Sequence, residues 1–276
     1  MTRAEAKNDR SIDLFAVRSI LFLPASNPRA IAKAREAGAD LVVLDLEDAV
    51  KPDDKAGARK AAVEAVAERW PMPVAIRING VGTKWHSLDL DATARSQADF
   101  VVIPRAISAH LVRDVAETVD KPVLAMIETA AGVLAAPQIA QVCAGLVAGT
   151  NDLRADLHLP LDATREPISA SLQMIVLAAR AAGIAAFDGV FNRLDDIDGF
   201  AAEAEEGRRL GFDGKTVIHP SQVAPCNRAF GPGEAEIERA RALIAAYRGG
   251  AERFGNEMIE RMHVEAAERV LERAGD

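Results

Sequence analysis

A chain of 276 residues has room for one large domain or two small ones, and buries a sizeable core without disulfide or metal staples. Aromatic residues are only 4% of the chain against 49% hydrophobic overall, and the formal net charge is −8. Those values argue against stacking platforms for single-stranded nucleic acid and against a broad polyanion-binding surface. Cys143 and Cys226 are the only cysteines and lack metal-type spacing, so they read as reduced thiols of a cytosolic protein. The N-terminal stretch MTRAEAKNDRSIDLFAVR has charges but no apolar h-region, and no segment has the uninterrupted apolar length of a membrane span. The expectation is a soluble, cytoplasmic protein with no membrane and no nucleic-acid partner.

In chain order, short apolar runs alternate with helical patterns. Ser19 to Leu23 predicts a first strand, followed by a helix over Pro28–Ala37 closed by Gly38. Leu41–Leu46 predicts a second, ending in Asp45-Leu46-Glu47-Asp48, and Asp53 and Asp54 then open a helix running to about Arg69. Val74–Ile78 and Phe100–Ile103 are the third and fourth strands, with a helix over Ala109–Val119. Val123 to Ile127 is a fifth, ending in Glu128, and Cys143 to Ala148 a sixth, ending in Gly149-Thr150-Asn151-Asp152. A helix over Glu166–Ala182 closed by Gly183 leads to a seventh strand, Ile184–Phe187; a helix over Gly199–Leu210 leads to an eighth, Thr216–Ile218. Eight such units without a linker predict an α/β fold, a (β/α)8 TIM barrel. A doubly wound sheet shares the alternation, and the strand count decides against it. The barrel is expected over 18–230, after an N-terminal tail at 1–17 and before a C-terminal helical extension at 231–276. That extension reads as a helix over Glu234–Tyr247 and another over about Ile259–Ala274.

Strands apolar throughout are expected of a parallel sheet covered on both faces. Active sites in such barrels lie at the C-terminal ends of the strands, where the polar residues Glu47, Arg77, Arg105, Glu128, Asp152, Asp188 and His219 fall. Glu128 and Asp152 end neighbouring strands, and two carboxylates at one rim can clamp a hard divalent cation such as Mg²⁺. An acid in such a place also serves as the cap of the following helix, and Asp152 admits both readings. His219, before Pro220, reads as a structural histidine at a strand end.

Several long segments occur in order: RSILFLP at 18–24, GADLVVLDLEDAVKPDDKAGAR at 38–59, IRIN at 76–79, IETAAGV at 127–133, GTNDLRADL at 149–157 and GFDGKTVIHPSQ at 211–222. Together they resemble the citrate lyase β-subunit and malyl-CoA lyase family, the acyl-CoA branch of the HpcH/HpaI aldolases. The resemblance implies a Mg²⁺ held by Glu128 and Asp152, and a substrate lined by Arg77, Glu128, Gly149, Thr150 and Asn151. Arg77 matches the arginine of the family's R-I/V-N segment; its alternative role is an ion pair with Glu47 or Asp48. Glu47 and Asp48 match acids beside the metal and its waters.

The implied reaction is reversible aldol cleavage of a 3-hydroxyacyl-CoA, of malyl-, citramalyl- or citryl-CoA type, into an acyl-CoA and a 2-oxo acid. Such a cleavage needs a Lewis acid, a fixed cation for the developing alkoxide, and a base for the acyl-CoA carbon. In malyl-CoA lyases the base is an Asp of a C-terminal G-x-M-I-D segment reaching in from a neighbouring subunit. Here GNEMIE at 255–260 puts Glu260 in its place, or leaves it as the head of an exposed helix. Arg105 stands where many relatives carry Lys. Arg29 and Lys33 are the candidates for CoA phosphates, with ordinary surface charge as their alternative, and Lys55 and Arg59 share a matched K-x-x-x-R spacing whose bland reading is helix-surface pairing. A homo-oligomer, trimer or hexamer, is expected. The other readings are an aldolase for a non-CoA hydroxy-oxo acid, and a subunit dependent on an acyl-carrier partner.

Overall fold

The computed structural model describes residues 12–275. Eight parallel strands follow one another around a closed barrel: β1 Ser19–Pro24, β2 Leu41–Asp45, β3 Val74–Arg77, β4 Phe100–Ile103, β5 Val123–Ile127, β6 Gly145–Ala148, β7 Ala185–Asp188 and β8 Gly214–Val217. β8 returns to β1 through Ser19↔Lys215 and Ile20↔Thr216. The helices of the outer layer are α1 Pro28–Ala34, α2 Lys55–Val66, α3 His86–Ala94, α4 Ala109–Val119, α5 Ala130–Ile139, the short α6 Thr150–Asp156, α7 Ser169–Ala182, α8 Ile197–Leu210 and α9 Val223–Phe230. The TIM-barrel expectation is borne out.

Strand alternation divides the core in two. One set, including Ile20, Leu41, Val43, Ala75, Phe100, Val102, Leu124, Met126, Val147, Ala185 and Phe187, fills the barrel interior. The other, including Leu21, Val42, Ile76, Val101, Ala125, Leu146, Ala186 and Val217, faces the helices. Leu14 and Val17 join the interior set, so residues 14–17 pack against the strands' starting end. Caps fix where helices begin and end. Ser108 accepts from the Leu111 N–H at the head of α4, Thr129 accepts from Gly132 at the head of α5, and α7 and α8 close on left-handed Gly183 and Gly211.

Beyond α9 lie α10 Glu234–Ala246, a small hairpin of β9 Glu252–Phe254 and β10 Glu257–Ile259, and α11 Arg261–Ala274. They pack around Ala240, Leu243, Ile259, Val264 and Ala267, a cluster separate from those of the barrel. Among the described residues, side-chain contacts from Arg208 and Arg273 tie this extension to the barrel. Arg208, at the end of α8, pairs with Glu236, and Arg273 donates to the Asp213 carbonyl just before β8. Both anchors therefore lie at the end where strands begin.

Several elements depart from the expectation. α3, α6 and α9 and the β9–β10 hairpin are not foreseen, and the last helix starts at Arg261 because Ile259 belongs to β10. β8 starts two residues earlier than expected, at Gly214-Lys215. Lys215 is fully buried there, which its charge hides in a hydrophobicity pattern.

Candidate active site

The register that pairs Asp45 with Arg77 sets the centre of the barrel mouth. Both share the inward parity of Val43 and Ala75, so their side chains meet just above the interior core. Arg77 Nε donates to Asp45 Oδ1 at 2.7 Å and Nη2 to Asp45 Oδ2 at 2.6 Å, the two-pronged geometry that arginine makes with carboxylates. Arg77 Nη1 approaches Glu47 Oε2 to 2.8 Å without hydrogen-bond alignment, and also faces Met126 Sδ at 3.7 Å. The guanidinium lies 5.4 Å from the centre of the Phe22 ring. Held on every side, it has little rotamer freedom left. Asp45 also accepts from the N–H groups of Glu47 and Ala49, turning the chain as it leaves β2. The ion pair that was the alternative role of Arg77 is thus present, with Asp45 as its chief partner.

Glu128 follows β5 with the parity of Met126 and is 2% exposed. Its Oε1 accepts the Arg105 N–H at 2.6 Å, and Arg105 adopts φ 49 to present it. On its other side the backbone of Gly149 comes so close that a Cβ there would strike the Glu128 side chain. Gly149 caps α6, and Asp152 stands in the first turn of that helix rather than in a loop. Burial pushes the Glu128 carboxyl up to about 7, the Arg105 N–H opposes this, and the charge of Asp152 adds to it. Burial likewise raises Glu47 to about 8 although Arg77 lowers it, with Asp48 and Glu128 contributing. Asp152 is raised by burial and by Asp48, with Arg105 pulling the other way.

In one cavity of about 430 Å³, Asp45, Asp48, Arg77, Glu128, Gly149, Thr150, Asn151 and Asp152 meet an apolar wall of Phe22, Met126 and Val190, while Glu47 and Arg105 stand behind its lining. A cluster of acids mutually raising their pKa values, with the central arginine already committed, fits a divalent cation. The donor oxygens are hard, as Mg²⁺ prefers, and Mg²⁺ is commonly bound through one or two carboxylates while keeping several waters. Among the described residues, no group of three His, Cys, Asp or Glu is placed to hold an ion by itself.

Other expected residues lie elsewhere. Asp188 has the outward parity of Ala186 and does not face the mouth. It is buried behind the wall, 2.7 Å from Arg165 and 2.9 Å from Lys215, which also reaches Glu203. Arg29 and Lys33 are exposed on α1 and do not line the cavity. His219 caps the turn that follows β8, its Nδ1 accepting from the Ser221 N–H. Glu260 is the N-cap of α11, where the His263 ring accepts its N–H at 3.0 Å. Its module is anchored at the opposite end of the barrel, so Glu260 does not enter the cavity of its own chain. Lys55 is not a surface residue; it is buried beneath the loop that carries Glu47. The sequence reading missed Asp45 and Asn79. Parity with Val43 is the signal that would have found Asp45.

The closed barrel and its polar mouth place this chain among (β/α)8-barrel enzymes. It belongs to the HpcH/HpaI aldolase/citrate lyase family, which matches residues 18–220. A (3S)-malyl-CoA thioesterase of Cereibacter sphaeroides is 41% identical over 270 residues, covering 93% of this chain and 94% of the relative. A citrate lyase subunit beta of Leuconostoc mesenteroides is 32% identical, with 93% of each covered. The CitE protein of Mycobacterium tuberculosis, solved in complex with magnesium, acetoacetate and coenzyme A, superposes with a TM-score of 0.85. It is 35% identical, with 95% of this chain and 100% of that one covered. The family resemblance carried by the motifs is borne out.

Proposed function

We propose that this chain is a Mg²⁺-dependent lyase that reversibly cleaves a malyl-type 3-hydroxyacyl-CoA into an acyl-CoA and a 2-oxo acid. The observation that carries this reading is the cavity itself, in which a rigidly held arginine faces an under-neutralised pair of carboxylates. Its relative crystallised with magnesium and coenzyme A supports the same reading.

Glu128 and Asp152 would hold the ion, which supplies Lewis acidity to the oxygens of the 2-oxo acid. Asp45 and Glu47 fix Arg77 so that its charge lies beside the oxygen that turns from hydroxyl to carbonyl during cleavage. Gly149, Thr150 and Asn151 form the facing wall, and Asp48, exposed at the rim, would order water about a bound ion. The apolar surface of Phe22 and Met126 excludes water from the carbon–carbon bond. In the condensation direction the carboxylate of Glu260, brought by a second copy of the chain, takes a proton from the carbon next to the thioester. Arg29 and Lys33, on the exposed face of α1, are the groups for the CoA phosphates.

Hydrolysis of the thioester is the second reading, favoured by the 41% identical thioesterase. Incubation with (3S)-malyl-CoA and Mg²⁺ separates the two. Cleavage yields acetyl-CoA and glyoxylate without a free thiol; hydrolysis releases the CoA thiol and malate. Condensation assays of acetyl- and propionyl-CoA with glyoxylate, pyruvate and oxaloacetate then rank substrates. Glu128→Ala and Asp152→Ala are each expected to abolish Mg²⁺-dependent turnover with the fold retained. Near-normal activity of either in EDTA-washed enzyme resupplied with Mg²⁺ overturns the assignment of that residue.

A further inference from the structure

Lys55, in the first turn of α2, is 6% exposed, and its ammonium meets only neutral acceptors: the Leu46 carbonyl at 2.8 Å, the Glu47 carbonyl at 2.7 Å and Asn79 Oδ1 at 2.6 Å. An ammonium has three protons, and all are used. Burying a lysine without a contacting carboxylate is costly, and such groups persist where their hydrogen bonds fix something. Two of the acceptors are consecutive peptide carbonyls, at the point where the chain leaves β2 and turns toward Arg77. The third, Asn79, is itself immobilised: its N–H and Nδ2 both donate to Asp89 Oδ2, and Arg59 holds Asp89 Oδ1 at 2.6 Å. Asn79 Nδ2 also reaches the Leu46 carbonyl, so lysine and amide grip the same peptide from two sides. The matched K-x-x-x-R spacing on α2 thus encodes a brace from the helix to the catalytic rim.

We propose that Lys55 is a positioning residue: by clamping the Leu46 and Glu47 carbonyls to the end of β3, it sets the Glu47 carboxylate against Arg77. Only the kinetic part of this proposal rests on the lyase reading. Lys55→Met keeps the length of the stem and removes all three donors. Its crystal structure is expected to show Glu47 Oε2 beyond about 4 Å from Arg77 Nη1, against 2.8 Å in the native chain, with the Asp45–Arg77 pair intact. In kinetics kcat should fall about 10- to 100-fold, as when support of a metal-site residue is lost, with little change in KM. Added to Glu47→Gln, Lys55→Met should cost almost nothing further, because both remove the same contact. Lys60→Met, on the exposed face of α2, is the control and should be silent. Should Lys55→Met not fold, Lys55→Gln, whose shorter, neutral amide keeps two N–H donors, enters the same measurements. Glu47 remaining on Arg77 in the variant, or losses that multiply in the double variant, would overturn the proposal. If the native chain turns over no thioester, the lyase reading fails by itself and the crystallographic distance still decides the role of Lys55.

Discussion

Glu47 and Glu128 are the residues on which solution conditions act most directly. Burial raises both carboxyls, to about 8 and about 7, above their values in an unfolded chain. A carboxyl raised by folding favours the native state while protonated, and that contribution disappears as pH climbs through the folded value. The protein without a bound cation is therefore expected to lose stability as pH rises from about 4.5, the ordinary carboxyl value, to about 8. With Glu128 as the proposed ligand, Mg²⁺ would compete with protons for it, so binding should tighten as pH rises through about 7. Thermal melts with and without Mg²⁺ should show a larger stabilising shift at pH 8 than at pH 6; an equal shift at both would separate the ion from Glu128. Glu128 and Arg77 were legible as site residues because each directly follows or ends a short apolar run. Asp45 was not, because the adjacent Glu47 and Asp48 drew the same attention and only the barrel's register singles it out.

At the scale of elements, the strands could be read where a short apolar run is bounded by polar or turn residues; β8, which carries Lys215, was legible only from Thr216 onward. The elements that escaped lack that contrast. α3 mixes His86, Ser87 and two aspartates with its apolar positions, α6 has only seven residues, and the hairpin of β9 and β10 alternates charges with Phe254 and Ile259. The Asp188–Lys215 pair belongs to this scale, since it joins β7 to β8 and, through Arg165 and Glu203, both to the surrounding layer. Removing one partner of a buried pair strands the other. Lys215→Met should destabilise by about 3 kcal/mol, lowering Tm by roughly 6–12 °C at about 2–4 °C per kcal/mol. The Mg²⁺ requirement should be unchanged, because the pair lies behind the wall. A melt within a degree or two of the native chain would show that the pair is not needed for stability.

For the whole molecule, the arrangement of the extension governs what one chain can do alone. Glu260 sits on a module fastened at the strands' starting end, while the cavity opens at the other end. With Glu260 as the base, a complete site takes a barrel from one copy and the extension of a second. Mixing Glu260→Ala chains with Arg77→Ala chains, each inactive alone, should restore part of the activity. The absence of any recovery in confirmed mixed oligomers would place the base elsewhere. The sequence supplied the residue and its spacing but no indication of where the module is moored, since Arg273 and Asp213 are 60 positions apart.

The left-handed backbone at Arg105 bears on which ion the mouth can take. Arginine at φ 49 is a disfavoured conformation, and here it aims a main-chain amide at Oε1 of Glu128. Were Glu128 to hold an ion as proposed, Oε2, the oxygen packed against Gly149, would be the one free of this bond, which would favour ligation through a single oxygen. Calcium gathers about six to eight oxygens and readily takes both from one carboxylate, whereas magnesium is content with single oxygens and its own water. On the proposed ligand set, a kink of one peptide would then act through denticity and tilt the mouth toward the smaller ion.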